Sequence, residues 1–302
     1  MSTRILVDCD PGHDDAIAIL LALASPELEL LGVTTVAGNQ TLEKTTANAL
    51  RVLEHVGRDD VPVAAGAERP LVREPFVAPY VHGETGLDGP DLPPARGKPV
   101  EQHAVDFLAD RIGPGVVLVP TGPLTNVALL LARYPEKRPD RIVLMGGSIA
   151  EGNVTPAAEF NIWCDPEAAA RVFTSGIALT MVGLDVTHKA LFTRRHAERL
   201  EGRAGTMVRE LLAFYNRFHT EVYGFDGSPL HDALAMAYVL RPDLLVTKER
   251  GVKIETESEL SRGRTLVDLW GRAEWEPNCH VGVDVDAEGF CELLVERINA
   301  LG

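Results

Sequence analysis

Cysteine is scarce in this 302-residue chain, with four copies at Cys9, Cys164, Cys279 and Cys291. None falls in a CxxC pair, which excludes a disulfide framework and a thiolate zinc site and predicts reduced, mostly buried thiols. Basic residues are also in short supply. Lys and Arg total 29 against 44 Asp and Glu, a net charge of −15, and no segregated basic patch offsets it, so nucleic acid is excluded as a partner. Long apolar runs are missing too. The longest helix-like stretch, Ala16 to Ala24, is about half of what a bilayer span requires, so no membrane association is expected. The opening MSTRILVDCDPG has no apolar signal region, and a cytoplasmic protein is expected. Aromatics are only 6% of the chain, but 45% hydrophobic and 24% charged residues are ordinary for a globular protein able to bury a large core.

Apolar β-branched runs alternate with helix-length segments. Strands are expected at Ile5 to Asp8, Leu28 to Val36, Val61 to Ala65, Val116 to Pro120, Ile142 to Met145 and Ala178 to Val182. Helices are expected at Asp14 to Ser25, Leu42 to Val56, near Val100 to Arg111, Thr125 to Arg133 and Pro166 to Thr174. This rhythm predicts an α/β fold with a mostly parallel open sheet, a Rossmann-like core covered by helices on both faces. Ligands in such folds bind at the carboxyl ends of the strands. Residues 67–99 hold seven prolines and HGETGLDGPD, and read as a long ordered loop or lid. Residues 193–243 read as a helical subdomain inserted in a single domain spanning 1–302.

The first strand ends in VDCDPGHDDA. Asp8 and Asp10 share a strand face, Pro11-Gly12 turns the chain, and Asp14 and Asp15 enter the first turn of a helix, where the dipole favours carboxylates. One or two of these could be caps in a solvated turn. Four converging carboxylates repel one another unless a cation neutralises them, and all-oxygen ligation favours Ca²⁺ or Mg²⁺.

DCDPGHDD resembles the DxDxGxDD signature of the inosine-uridine-preferring nucleoside hydrolases. VAGN ending at Asn39, HGETGL from His82, PTGPLTN from Pro120, GNVTPAAEFN from Gly152, DPEAA from Asp165 and LHDALA from Leu230 occur in that family's order across nearly the whole chain. The resemblance implies a nucleoside substrate, a homo-oligomer (dimer or tetramer) and a Ca²⁺ held by Asp10, Asp15, the main-chain carbonyl of Thr121 and Asp232. It also implies that Asp14, Asn39, Asn153, Glu159 and Asn161 bind the sugar hydroxyls, with Phe160 against the ribose. Two amides and a carboxylate suit a polyol, which needs donors and acceptors together.

The implied activity is hydrolysis of the N-glycosidic bond of ribonucleosides to ribose and a free purine or pyrimidine base. Positive charge develops on the sugar as that bond breaks, Asp10 is the expected general base, and His231, beside Asp232, is expected to protonate the leaving base with an ordinary imidazole pKa. His82, His219, Tyr223 and Phe225 are weaker candidates for the base pocket. His55, His103, His188, His196 and His280 are assigned to surface or core, and Trp163, Trp270 and Trp275 to packing. Two other readings compete: a hydrolase of a modified ribosyl compound, and a catalytically silent ribose- or nucleoside-binding protein.

Overall fold

The computed structural model describes residues 2–302. Its strands are β1 (Thr3–Cys9), β2 (Leu28–Thr35), β3 (Val63–Ala65), β4 (Val116–Pro120), β5 (Arg141–Met145), β6 (Ala178–Val182), β7 (Leu191–Phe192), β8 (Ser228–Pro229), β9 (Leu245–Arg250), β10 (Val252–Ile254), β11 (Thr265–Val267) and β12 (Cys279–Val285). Its helices are α1 (His13–Leu23), α2 (Leu42–His55), α3 (Pro79–His82), α4 (Ala104–Arg111), α5 (Thr125–Arg133), α6 (Phe160–Cys164), α7 (Pro166–Phe173), α8 (Leu184–Thr187), α9 (Arg194–Ala197), α10 (Gly202–Tyr223), α11 (His231–Leu240) and α12 (Ala287–Ala300). No helix among the described residues is long and apolar enough to cross a membrane.

Eight strands form one sheet in the order β3-β2-β1-β4-β5-β6-β12-β9. Every pairing in it is parallel except β12 with β9. The mostly parallel sheet therefore matches the expectation. The antiparallel edge was missed because β9 and β12 lie beyond the last regular strand–helix alternation.

Side chains alternate between the two faces as a two-residue period requires. Val7, Val119 and Val143 enter the cluster that contains α1, α2, α10, α11 and α12, while Leu6, Leu118 and Ile142 pack with α4, α5 and α7. Helix α1 is buried continuously from His13 to Ala22, which explains why AIAILLA is apolar on every side. Truncating Leu20 to Ala in such surroundings costs about 2–5 kcal/mol. Strand order reverses between β1 and β4, and the crevice outside their carboxyl ends is where an open α/β sheet accepts ligands.

Candidate active site

The loops after β1, β2, β4 and β5 meet in that crevice. Asp10 follows β1 and is fully buried. The backbone N–H of Asn39, beyond β2, donates to its Oδ2 at 2.6 Å, whereas Oδ1 has no hydrogen-bond partner. Glycine makes room on both sides: a Cβ at Gly38 would lie 2.0 Å from Oδ2, and one at Gly122 would lie 2.5 Å from Oδ1. Asp15, in the first turn of α1, accepts from Gly12 N at 2.9 Å, Asn39 Nδ2 at 3.1 Å and Thr121 Oγ1 at 2.8 Å. Asp232, in the first turn of α11, completes a group with Asp14 and Asp15 whose ligand oxygens lie within 4.8 Å of one another.

Asp8 does not join this group. It shares a sheet face with Leu6, so it points towards α5 and accepts from Thr34 Oγ1 at 2.6 Å and Asn126 Nδ2 at 2.8 Å. The expected convergence of Asp8, Asp10, Asp14 and Asp15 is corrected accordingly: Asp232 stands where Asp8 was expected.

Burial raises the carboxyl pKa values of Asp10, Asp14, Asp15 and Asp232, Asp14 to about 7, and repulsion from Asp15 adds to the shift at Asp10 and Asp14. No Lys or Arg lines the adjoining cleft. Four buried carboxylates, an all-oxygen donor set and an orphaned carboxylate oxygen suit a hard divalent cation.

Above the cluster opens a cleft lined by polar and ring side chains. Asp14 and Asp232 line it, while Asp10 and Asp15 lie beneath its floor. Asn39, Thr121, Asn153, Glu159, Phe160 and Asn161 surround the same end. Much of their hydrogen-bonding capacity is already committed. Glu159 caps α6, taking N–H groups of Asn161, Gly147 and Ile162 at 2.8, 2.9 and 3.1 Å, and burial still pushes its carboxyl up to about 7. Asn153 Oδ1 accepts from Phe160 N at 2.9 Å, so its NH₂ is left for a ligand. Asn161 Nδ2 donates to the Thr121 carbonyl at 2.7 Å and to that of Met145 at 3.2 Å, which leaves Oδ1. The cleft thus offers a donor at 153 and an acceptor at 161, a pairing that matches adjacent hydroxyls.

Rings make the opposite end. His82, His219, Tyr223 and His231 line it, together with Tyr80, His188, Tyr215 and Phe218. Phe225 stacks on Tyr223 at 5.2 Å behind this wall. His188, assigned from sequence to surface or core, lies 5.5 Å from the His231 ring. The ordinary pKa expected for His231 is also corrected. Its side chain is buried, with Nδ1 2.7 Å from Thr187 Oγ1, and burial followed by the neighbouring His188, His219 and His82 holds it well below the usual value. His219, buried against Tyr215, is lowered to about 4.

All four cysteines are free and buried, as expected. Trp163 packs edge-on to Phe76 at 5.1 Å, but Trp270, assigned to packing, is 85% exposed. Tyr215, His219 and Tyr223 recur every four residues along α10, with Phe218 on the same stretch. That helical stripe was the signal for the ring wall. His13 was also missed, although GHDD displayed it.

The family model for "Inosine-uridine preferring nucleoside hydrolase" matches residues 5–292. The chain belongs to this family. It is 50% identical over 307 residues to the pyrimidine-specific ribonucleoside hydrolase RihA of Citrobacter koseri, covering 99% of this chain and 98% of that protein. It is 51% identical over 308 residues to the RihA of Escherichia coli O8 (strain IAI1), covering 99% of each. Among solved structures, the purine-preferring ribonucleoside hydrolase from Gardnerella vaginalis superposes with a TM-score of 0.93 at 35% identity, over 99% of this chain and 98% of that one. This nucleoside hydrolase is therefore an enzyme acting on ribonucleosides, and the convergence of carboxylates, amides and rings in one cleft agrees with that chemistry.

Proposed function

We propose that this nucleoside hydrolase releases the base from pyrimidine ribonucleosides in a Ca²⁺-dependent reaction. The observation that carries the reading is the buried, un-neutralised carboxylate cluster flooring a cleft with an amide-rich end and a ring-rich end. The two RihA relatives named above as pyrimidine-specific, at 50% and 51% identity, favour pyrimidines over purines.

In this reading Asp10, Asp15, Asp232 and the Thr121 carbonyl hold the Ca²⁺. When bound, the ion orients the ribose diol and a water and makes that water more acidic. Asn39, Asn153, Glu159 and Asn161, with Asp14 at the rim, hold the sugar hydroxyls, and Phe160 shields the ribose face. Asp10 takes the proton of the attacking water as the C–N bond lengthens and positive charge grows on the sugar. His231, fixed through Nδ1, presents Nε2 to the departing base, which leaves hydrogen-bonded to it and takes up the proton that the water gave to Asp10, with His82, His219 and Tyr223 around it. The same reading takes 1–302 as one domain in which 193–243 is an insertion, supported by the cluster that α10 and α11 share with the sheet.

The test is a panel of uridine, cytidine, inosine and adenosine assayed by chromatography for free base, before and after exhaustive chelation and again with Ca²⁺ restored. Uracil release that ends on chelation and returns with Ca²⁺ is the expected result. Undiminished release after chelation would refute the metal, and faster release from inosine would refute the base preference.

A further inference from the structure

His13 has no part in the sugar or ion contacts, yet it is fully buried at the start of α1. Its ring lies nearly parallel to those of Phe214 (5.3 Å, 5°) and Tyr215 (5.2 Å, 8°), and stacks on His82 at 5.3 Å. Packing alone would account for a ring there, but both of its nitrogens are also used. Nε2 lies 2.8 Å from the carbonyl of Asp88, which can only accept, so Nε2 carries a hydrogen. Nδ1 lies 3.1 Å from Nδ1 of His82; with its one hydrogen given to Asp88, a neutral His13 accepts there and His82 Nδ1 is the donor. The backbone nitrogen of His13 also sits 3.3 Å from the same His82 atom, which closes that edge of the ring sterically.

The opposite side of this contact is equally closed. A Cβ at Gly12 would come within 2.5 Å of His82 Nδ1. The anchor point, Asp88, is the centre of its own turn, accepting from Glu84 N at 3.1 Å and Thr85 N at 3.0 Å. His82 is thus gripped along its Nδ1 edge, and Nε2, with no protein partner, is the nitrogen left for the cleft that the ring lines.

We propose that His13 is a positioning residue for His82: by holding the Nδ1 edge and tying it to the Asp88 turn, it aims Nε2 at the nucleobase end of the cleft. This rests on the reading of His82 as a residue that meets the leaving base. A misaimed imidazole loses much of its catalytic value, since displacements of about 1 Å can cost up to ~10²-fold.

The test compares kcat for uridine with kcat for p-nitrophenyl riboside, whose leaving group needs little help. His13→Phe keeps the ring stack and removes both nitrogens. His13→Gln keeps a donor within reach of Asp88 and removes the contact with His82. Each is expected to lower the uridine-to-p-nitrophenyl ratio by roughly tenfold or more, as is His82→Ala. In the His82→Ala background either change is expected to alter that ratio by less than about twofold, because interacting sites are not additive. Ca²⁺ affinity by calorimetry and melting temperature report damage to the ion site or the fold. If both His13 variants lower the two substrates' rates equally, or their losses multiply with that of His82→Ala, the positioning role is overturned while His82 keeps its own. A His82→Ala enzyme with an unchanged ratio would overturn the reading of His82 and this proposal with it.

Discussion

At the amide-rich end of the cleft, where we propose the sugar binds, the polar groups sit on strand termini and helix caps: Asp10 after β1, Asn39 after β2, Thr121 after β4, and Glu159 capping α6. At the ring-rich end the groups are rings carried by α10, α11, the residue after α8 and the 79–88 segment, and few hydrogen bonds hold them. His219 has Tyr215 O, His231 has Thr187, and His82 has His13. A strand terminus is fixed by the whole sheet, whereas a ring in an aromatic cluster is fixed by its neighbours' shapes. The first arrangement suits the part of the substrate that every ribonucleoside shares. The second can be re-tuned by single substitutions without disturbing the sheet, which fits the different bases named for relatives with the same fold.

This contrast can be broken experimentally, and removing one hydroxyl from the sugar tests it hardest. In the proposed site a 2′-deoxynucleoside would leave Asp14, Asn161 and an ion coordination position unmatched, so kcat/KM for 2′-deoxyuridine should fall by about 10⁴-fold relative to uridine. Comparable rates would show that the sugar end is not the strict reader. Next in size is Asp10→Asn, which keeps the shape but cannot accept a proton. Its kcat for uracil release should drop by roughly 10²-fold or more with a smaller change in KM, and a near-wild-type kcat would remove Asp10 from the base role.

At the other end His231→Ala should lower kcat for uridine at least tenfold while sparing p-nitrophenyl riboside. Equal fractional losses would reduce His231 to a packing residue. The smallest effect is expected from Tyr223→Phe, since Tyr223 is only half-buried and its phenol has no protein partner. A shift in kcat/KM of about threefold, the scale of one neutral hydrogen bond, should differ between uridine and inosine. A ratio that stays fixed would take Tyr223 out of base discrimination.

The sequence was informative in the same uneven way. Strand–helix alternation gave β4 and α5 with their observed limits, because VVLVP and TNVALLLAR are set by local pattern. The family motifs DCDPGHDD, VAGN, PTGPLTN and LHDALA singled out Asp10, Asp14, Asp15, Asn39, Thr121 and Asp232, and the fold brings these residues to one crevice. Asp8 was misassigned because the two-residue alternation fixes a face but cannot say which partner waits there, here Asn126. The ring wall depends on how α10 rotates against α1, which no local pattern encodes. Only the four-residue spacing from Tyr215 to Tyr223 hinted at it, and His188 and Tyr80 arrive from unrelated segments with no shared periodicity. The pKa of His231 departs from the ordinary value because its burial and the charges of His188, His219 and His82 are properties of the assembled cleft.

Helix α1 is buried along nearly its whole length and carries Asp14 and Asp15 at its first turn. The carboxylates cannot swing into solvent to relieve their repulsion without unpacking the helix that anchors the centre of the molecule. Ion occupancy and unfolding are consequently linked equilibria. A cation bound by the native chain alone adds RT ln(1 + [M]/Kd) to stability, about 1.4 kcal/mol for each tenfold excess over Kd. The midpoint of thermal unfolding should therefore climb with the logarithm of free divalent cation, with no substrate present.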